Sequence, residues 1–106
     1  MAPTSLGRVN VASAGTPVRL ATSPTPCNRI RVSVIAGLTG KCYFGTAGVN
    51  HSTLAGVIKE LWPNAGGVDD AYELLSEDDS NSLHLEDYWI DVAVSGEGLI
   101  VSYWQN

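Results

Sequence analysis

Tyr88-Trp89-Ile90-Asp91-Val92-Ala93-Val94-Ser95-Gly96-Glu97-Gly98-Leu99-Ile100-Val101-Ser102-Tyr103-Trp104 is the stretch on which the fold class turns. Tyr88, Ile90, Val92 and Val94 alternate with Trp89, Asp91, Ala93 and Ser95, the period of two that marks a half-buried strand. Ser95-Gly96-Glu97-Gly98 then offers two glycines to a turn. Leu99 to Trp104 is apolar on both faces. Such a strand must be covered on both faces, by its own domain or by a neighbour, and it makes a poor exposed edge because bare apolar edges aggregate. The pattern predicts a closing β-hairpin, with Trp89 and Trp104 on its two strands.

The same signals recur upstream. Arg8 to Ala12 and Val18 to Thr22 alternate, separated by the turn Ala14-Gly15-Thr16-Pro17. Ser23-Pro24-Thr25-Pro26 breaks the pattern, since proline cannot donate to a central ladder. Arg29 to Ala36 sets Ile30, Val32, Val34 and Ala36 against Arg29, Arg31 and Ser33, and Gly37-Leu38-Thr39-Gly40 predicts a hairpin returning through Lys41 to Gly45. Between residues 46 and 81 the pattern is irregular. Thr53 to Leu61 carries Leu54, Val57, Ile58 and Leu61 at a spacing that suits either one or two helical turns, capped by Ser52 or Thr53 and stopped by Pro63, or an extended apolar segment. Ala71 to Leu75 is a further candidate strand. Short strands with turn signals every ten residues or so predict an all-β fold, a β-sandwich or jelly-roll-like domain, with an irregular or short helical insertion near residues 52–62. The expected organisation is a flexible N-terminal arm, residues 1–7, and a single domain over residues 8–106.

Composition bounds the function. At 106 residues the chain fits one domain able to hold a core without staples. No apolar run reaches the ~18 residues that span a membrane, and Met1 to Gly7 lacks the basic and apolar regions of a secretory signal. A net charge of −5 argues against a partner held by its phosphates. All six basic residues precede Glu60 and all eleven acidic ones lie from Glu60 onward. A fold that interleaves the halves would pair much of this charge internally, beside a solvated acidic loop; the sharper reading is a surface with one basic and one acidic region.

Residues that carry chemistry are few. Cys27 and Cys42, without CxxC spacing, read as two small buried thiols, with a cross-strand disulfide as the alternative that geometry decides. His51 and His84 have no cysteine or second histidine nearby and read as surface or packing residues. The acidic run Glu77-Asp78-Asp79, with Asp69, Asp70, Glu86 and Asp87, lacks the calcium-loop spacing and reads as a solvated loop rather than a Ca²⁺ site. No metal, cofactor or catalytic residues are expected. Trp62, Trp89 and Trp104 read as core or interface anchors, against the alternative of a sugar platform.

Ala14 to Leu20, Thr25-Pro26-Cys27-Asn28-Arg29-Ile30, Gly37 to Gly45 and the ending Leu85 to Gly98 followed by an apolar strand together resemble small structural proteins of tailed-bacteriophage virions, of the capsid decoration or cement type. The resemblance covers roughly residues 8–50 and 83–104, and residues 51–82 look like a longer insertion. It implies a non-enzymatic domain that binds and stabilises a shell of major capsid protein, as a homo-oligomer (trimer or dimer) on the capsid exterior, made in the host cytoplasm. It brings no catalytic residues. The alternatives are a tail or head-fibre adaptor and a carbohydrate-binding module using Trp62 or Trp89. Pro3, Thr4 and Leu6 of the arm, with Leu54, Val57, Ile58, Leu61 and Trp62, are the expected protein-contact residues.

Overall fold

The computed structural model describes residues 3–35, 37–63, 70–77 and 80–105. Among the described residues ten strands follow in order: β1 Thr4–Asn10, β2 Val18–Arg19, β3 Pro26–Cys27, β4 Arg29–Val34, β5 Cys42–Thr46, β6 Val57–Leu61, β7 Ala71–Leu75, β8 Leu83–His84, β9 Tyr88–Val92 and β10 Gly98–Trp104. Their pairing is antiparallel and nested: β1 with β10, β2 with β9, β3 with β8, β4 with β7 and β5 with β6. The chain is thus one long hairpin, doubled back at the turns between β5 and β6, and rolled so that β10 also meets β4 and β9 also meets β5. Two four-stranded sheets result, ordered β1-β10-β4-β7 and β2-β9-β5-β6, with β3 and β8 as a small ribbon. This order is the jelly-roll form of the all-β sandwich.

Alternation decides which side chains face inward. Ile30, Val32, Val34, Leu99 and Val101 come from the first sheet, and Cys42, Phe44, Leu61, Ile90 and Val92 from the second; all are buried in one cluster. Phe44 lies between Tyr72 and Tyr88, with ring centroids 5.9 and 5.5 Å away, so it joins the two layers. Each such large side chain, fully buried, contributes roughly 1.5–3 kcal/mol.

Nested pairing corrects the expected local hairpins. β4 and β5 lie in different sheets, as do β9 and β10, so the turns between them carry the chain across the sandwich. A local β9–β10 hairpin would satisfy one edge of the apolar β10; lying between β1 and β4, it has a ladder on both. Trp89 and Trp104 are accordingly on separate sheets. β1 can come this close because Gly98 has no side chain: a Cβ there would stand 1.9 Å from the Val9 carbonyl oxygen.

The helical option for residues 53–61 is not taken. Val57–Leu61 is an edge strand on β5, which completes the backbone bonds of β5 and turns Leu61 inward. Thr4 to Gly7, which the sequence pattern placed in an N-terminal arm, belong to β1, which pairs with β10.

Candidate functional site

Several of the acidic side chains are spent on backbone N–H groups. Asp91 sits at an outward position of β9 yet is fully buried beneath two loops. Its Oδ1 accepts from Gly15 N and Val92 N, each within 2.9 Å, and its Oδ2 from His51 N at 2.9 Å. Glu97 accepts from Thr39 N, Thr39 Oγ1 and Gly40 N. Glu86 accepts from Thr25 N, and Asp70 from Trp62 N. Burial alone pushes the Asp91 carboxyl up, but the N–H donors of Gly15, His51 and Val92 and the His51 ring outweigh it, and the net direction is down. The same balance holds for Glu97, where burial is outweighed by the Thr39 and Gly40 donors. Asp91 and Glu97 are therefore ionised clamps that fix the Gly15, Thr39-Gly40 and His51 turns to β9 and to the turn that follows it.

One cluster has the outline of a nucleophilic relay. His51 Nδ1 lies 3.0 Å from Asp91 Oδ2, and Ser52 Oγ lies 3.2 Å from His51 Nε2. Acyl transfer also needs N–H donors for the developing oxyanion, normally near the nucleophile. Here the N–H groups of Ser52 and Thr53 both donate to Asn50 Oδ1, at 2.8 and 3.1 Å. His51 also packs on Tyr43, at 6.3 Å between ring centroids. The arrangement holds the turn after β5 against β9. Sequence reasoning missed it because Asp91 looked like an ordinary outward residue of an alternating strand, and only the overlying turns bury it.

The expected contact residues divide. Leu54, Ile58 and Trp62 are exposed (49%, 40% and 50%), in the turn before edge strand β6, on it and just after it. Leu54 holds a left-handed backbone, φ 63°, which costs a non-glycine residue roughly 1–3 kcal/mol. Pro3, Thr4 and Leu6 are exposed beside them in character, but at the far edge strand β1 of the other sheet. Val57 is half-buried. Leu61 is fully buried in the core and so is not a contact residue: its register with Cys42 turns it inward.

Each indole carries a cation on its ring. Lys41 Nζ lies 4.2 Å from the Trp62 centroid, Arg29 5.0 Å from Trp104 and Arg19 5.9 Å from Trp89. Both cysteines are free and buried, and burial pushes the Cys27 thiol up to about 11 and the Cys42 thiol up to about 12. Of the acidic run considered for calcium, Asp69, Asp78 and Asp79 lie outside the described residues. Among the described residues no group of three His, Cys, Asp or Glu side chains could hold a metal ion, and no helix is long and apolar enough to cross a membrane.

Comparisons of the chain with protein-family models, with curated proteins and with solved structures find no match in any of the three.

Proposed function

We propose that this protein is a non-enzymatic virion component that decorates a bacteriophage capsid, binding the shell of major capsid protein from outside as a homo-oligomer. The observation that carries the reading is the division of the surface. Asp91, Glu97, Glu86, Asp70 and the His51 cluster are engaged in internal bonds, while Leu54, Ile58, Trp62, Leu75 and Ile100 are large apolar side chains left exposed. Leu54 is held out on a strained backbone where glycine or asparagine would sit more easily. Exposed apolar groups kept at such a cost favour a protein partner. The jelly roll recurs in viral capsid domains and in lectins, which is support by fold analogy alone.

The lectin comparison favours a second reading, a carbohydrate-binding module, but a stacked sugar needs an open aromatic face. Lys41 and Arg19 occupy one face of Trp62 and of Trp89, which weakens that reading. The test is light scattering on the purified protein, then sedimentation with undecorated phage heads. Saturable binding in hundreds of copies per particle is expected. A handful of copies would move the protein to the tail or a head fibre. No binding to heads, with hits on a glycan array, would replace the proposal with the sugar-binding one.

A further inference from the structure

We infer that the outer face of sheet β1-β10-β4-β7 is the docking face, and that its occupant is an acidic protein surface with an apolar centre; this rests on the decoration reading and names the chemistry of the contact. Register assembles the face. Arg8, Ile100, Ser33 and Ala71 form one row across the four strands. Ser102, Arg31 and Glu73 form the next, and Trp104, Arg29 and Leu75 the third. Ile100 is 42% exposed and Leu75 54%. The strand that demanded cover on both faces, β10, thus receives it only on the inner one.

Charge identifies the occupant. Among the described residues, the three rows carry three arginines and one glutamate. Arg31 and Arg29 share that glutamate, at 3.0 and 3.9 Å, so among the described residues one guanidinium charge there is left uncompensated. Arg8 is exposed at the other end, its Nε donating to the neutral Asn10 amide oxygen and its charge partly offset by the Glu97 carboxylate nearby. The rest of the chain holds three basic and ten acidic residues. An acidic partner is therefore repelled by the remainder of the molecule and drawn to this face, which fixes its orientation. The cations are all arginine, whose planar fork pairs with carboxylates two bonds at a time, and arginine beside tryptophan is the composition of interface anchors. A nucleic acid would need aromatic platforms for its bases, whereas the one indole here lies under Arg29 and its neighbours are aliphatic or small.

The experiment measures binding of the full chain to undecorated phage heads between about 50 and 200 mM salt, over which the Debye length falls by roughly half. It compares wild type with Arg29→Gln/Arg31→Gln, with Ser33→Glu, which adds a carboxylate to the face without touching the core, and with Ser13→Glu/Thr22→Glu in the exposed loops on either side of β2, which changes net charge as much as the arginine double variant does. Wild-type binding should weaken with salt. The arginine double variant and Ser33→Glu should each lose about tenfold or more in affinity, and Ser13→Glu/Thr22→Glu should stay within about twofold, all with unchanged circular dichroism. Heads that bind wild type, the arginine double variant and Ser33→Glu alike would overturn the docking face and leave the proposed function standing. Heads that bind no wild type would overturn both. Retention of wild type, but not of the arginine double variant, by a single-stranded oligonucleotide would assign the face to nucleic acid instead.

Discussion

Asp91 accepts backbone bonds from Gly15, His51 and Val92 and holds the His51 ring, all while fully buried. Asparagine fits the same space but replaces one acceptor oxygen with a donor, leaving at least one loop N–H facing an N–H. Asp91→Asn should lower stability by about 2–3 kcal/mol in urea unfolding, a cost set by the unsatisfied buried donors. Leu54 is the opposite case, a residue whose replacement should help the fold. With φ at 63°, Leu54→Asn should raise stability by about 0.5–1 kcal/mol, because asparagine tolerates the left-handed region. If Leu54 serves a contact, the same variant should bind phage heads less well; a gain in stability with no loss in binding would remove Leu54 from the interface. The thiols give a third check. Burial raises Cys27 to about 11 and Cys42 to about 12, so at pH 8 neither should react with a thiol reagent in the native protein, and both should react in denaturant.

At the scale of elements, two glycines set the close approaches. A Cβ on Gly98 would lie 1.9 Å from the Val9 oxygen, and one on Gly45 would lie 2.0 Å from the Gly56 oxygen. Both obstacles are backbone, so the ladder itself would have to move. Gly98→Ala and Gly45→Ala should each cost about 2–3 kcal/mol or more in thermal or urea unfolding, the range of overpacked cores; a cost under 0.5 kcal/mol would show that β1, or the turn before β6, shifts freely. Glu97 between Gly96 and Gly98 then has a plain role. Gly96 takes φ 90°, Glu97 clamps the Thr39-Gly40 turn, and Gly98 admits β1. Edge strand β6 carries a register shift near Ile58 and the charged Lys59, both devices that blunt an edge against pairing with another sheet.

At the scale of the molecule, the nested hairpin explains the charge asymmetry. The basic half of the chain and the acidic half are the two arms of one hairpin, so pairing sets them side by side: Arg29 and Arg31 with Glu73, and Lys41 with Glu60. Exposed pairs of this kind contribute about 0–1 kcal/mol each, so their effect is on register more than on stability. The clamps matter more. Asp91 and Glu97 have folded-state pKa values below their ordinary 3.8 and 4.5. The stability they contribute is therefore complete above those ordinary values and is lost as pH falls through the lower folded ones. The urea midpoint should be flat from pH 6 down to about 5 and then drop toward acid, and Asp91→Asn/Glu97→Gln should flatten that drop. A midpoint that falls with the same slope in the double variant would place the acid sensitivity elsewhere.

Alternation of Ile30, Val32 and Val34, and of Ile90 and Val92, determined by itself that the fold is all-β and which of those side chains are core, because a period of two survives whatever a strand pairs with. The apolar β10 likewise announced that it would be an inner strand of its sheet. Pairing was beyond sequence reasoning: the turns at residues 37–40 and 95–98 have the composition of hairpins, and only closure of the sandwich makes them crossings between sheets. The choice between helix and strand for Val57 to Leu61 was settled the same way, by the need of β5 for a second neighbour. Leu54, Ile58 and Trp62 were legible as apolar residues outside any alternating strand, whereas Leu61 was not separable from them. The clamp at Asp91 and the arginine face arise when residues about 40 positions or more apart are brought together, His51 with Asp91 and Arg31 with Glu73. A side chain's own type sets what it can bond, but long-range pairing decides which distant group it meets and whether water is there to compete.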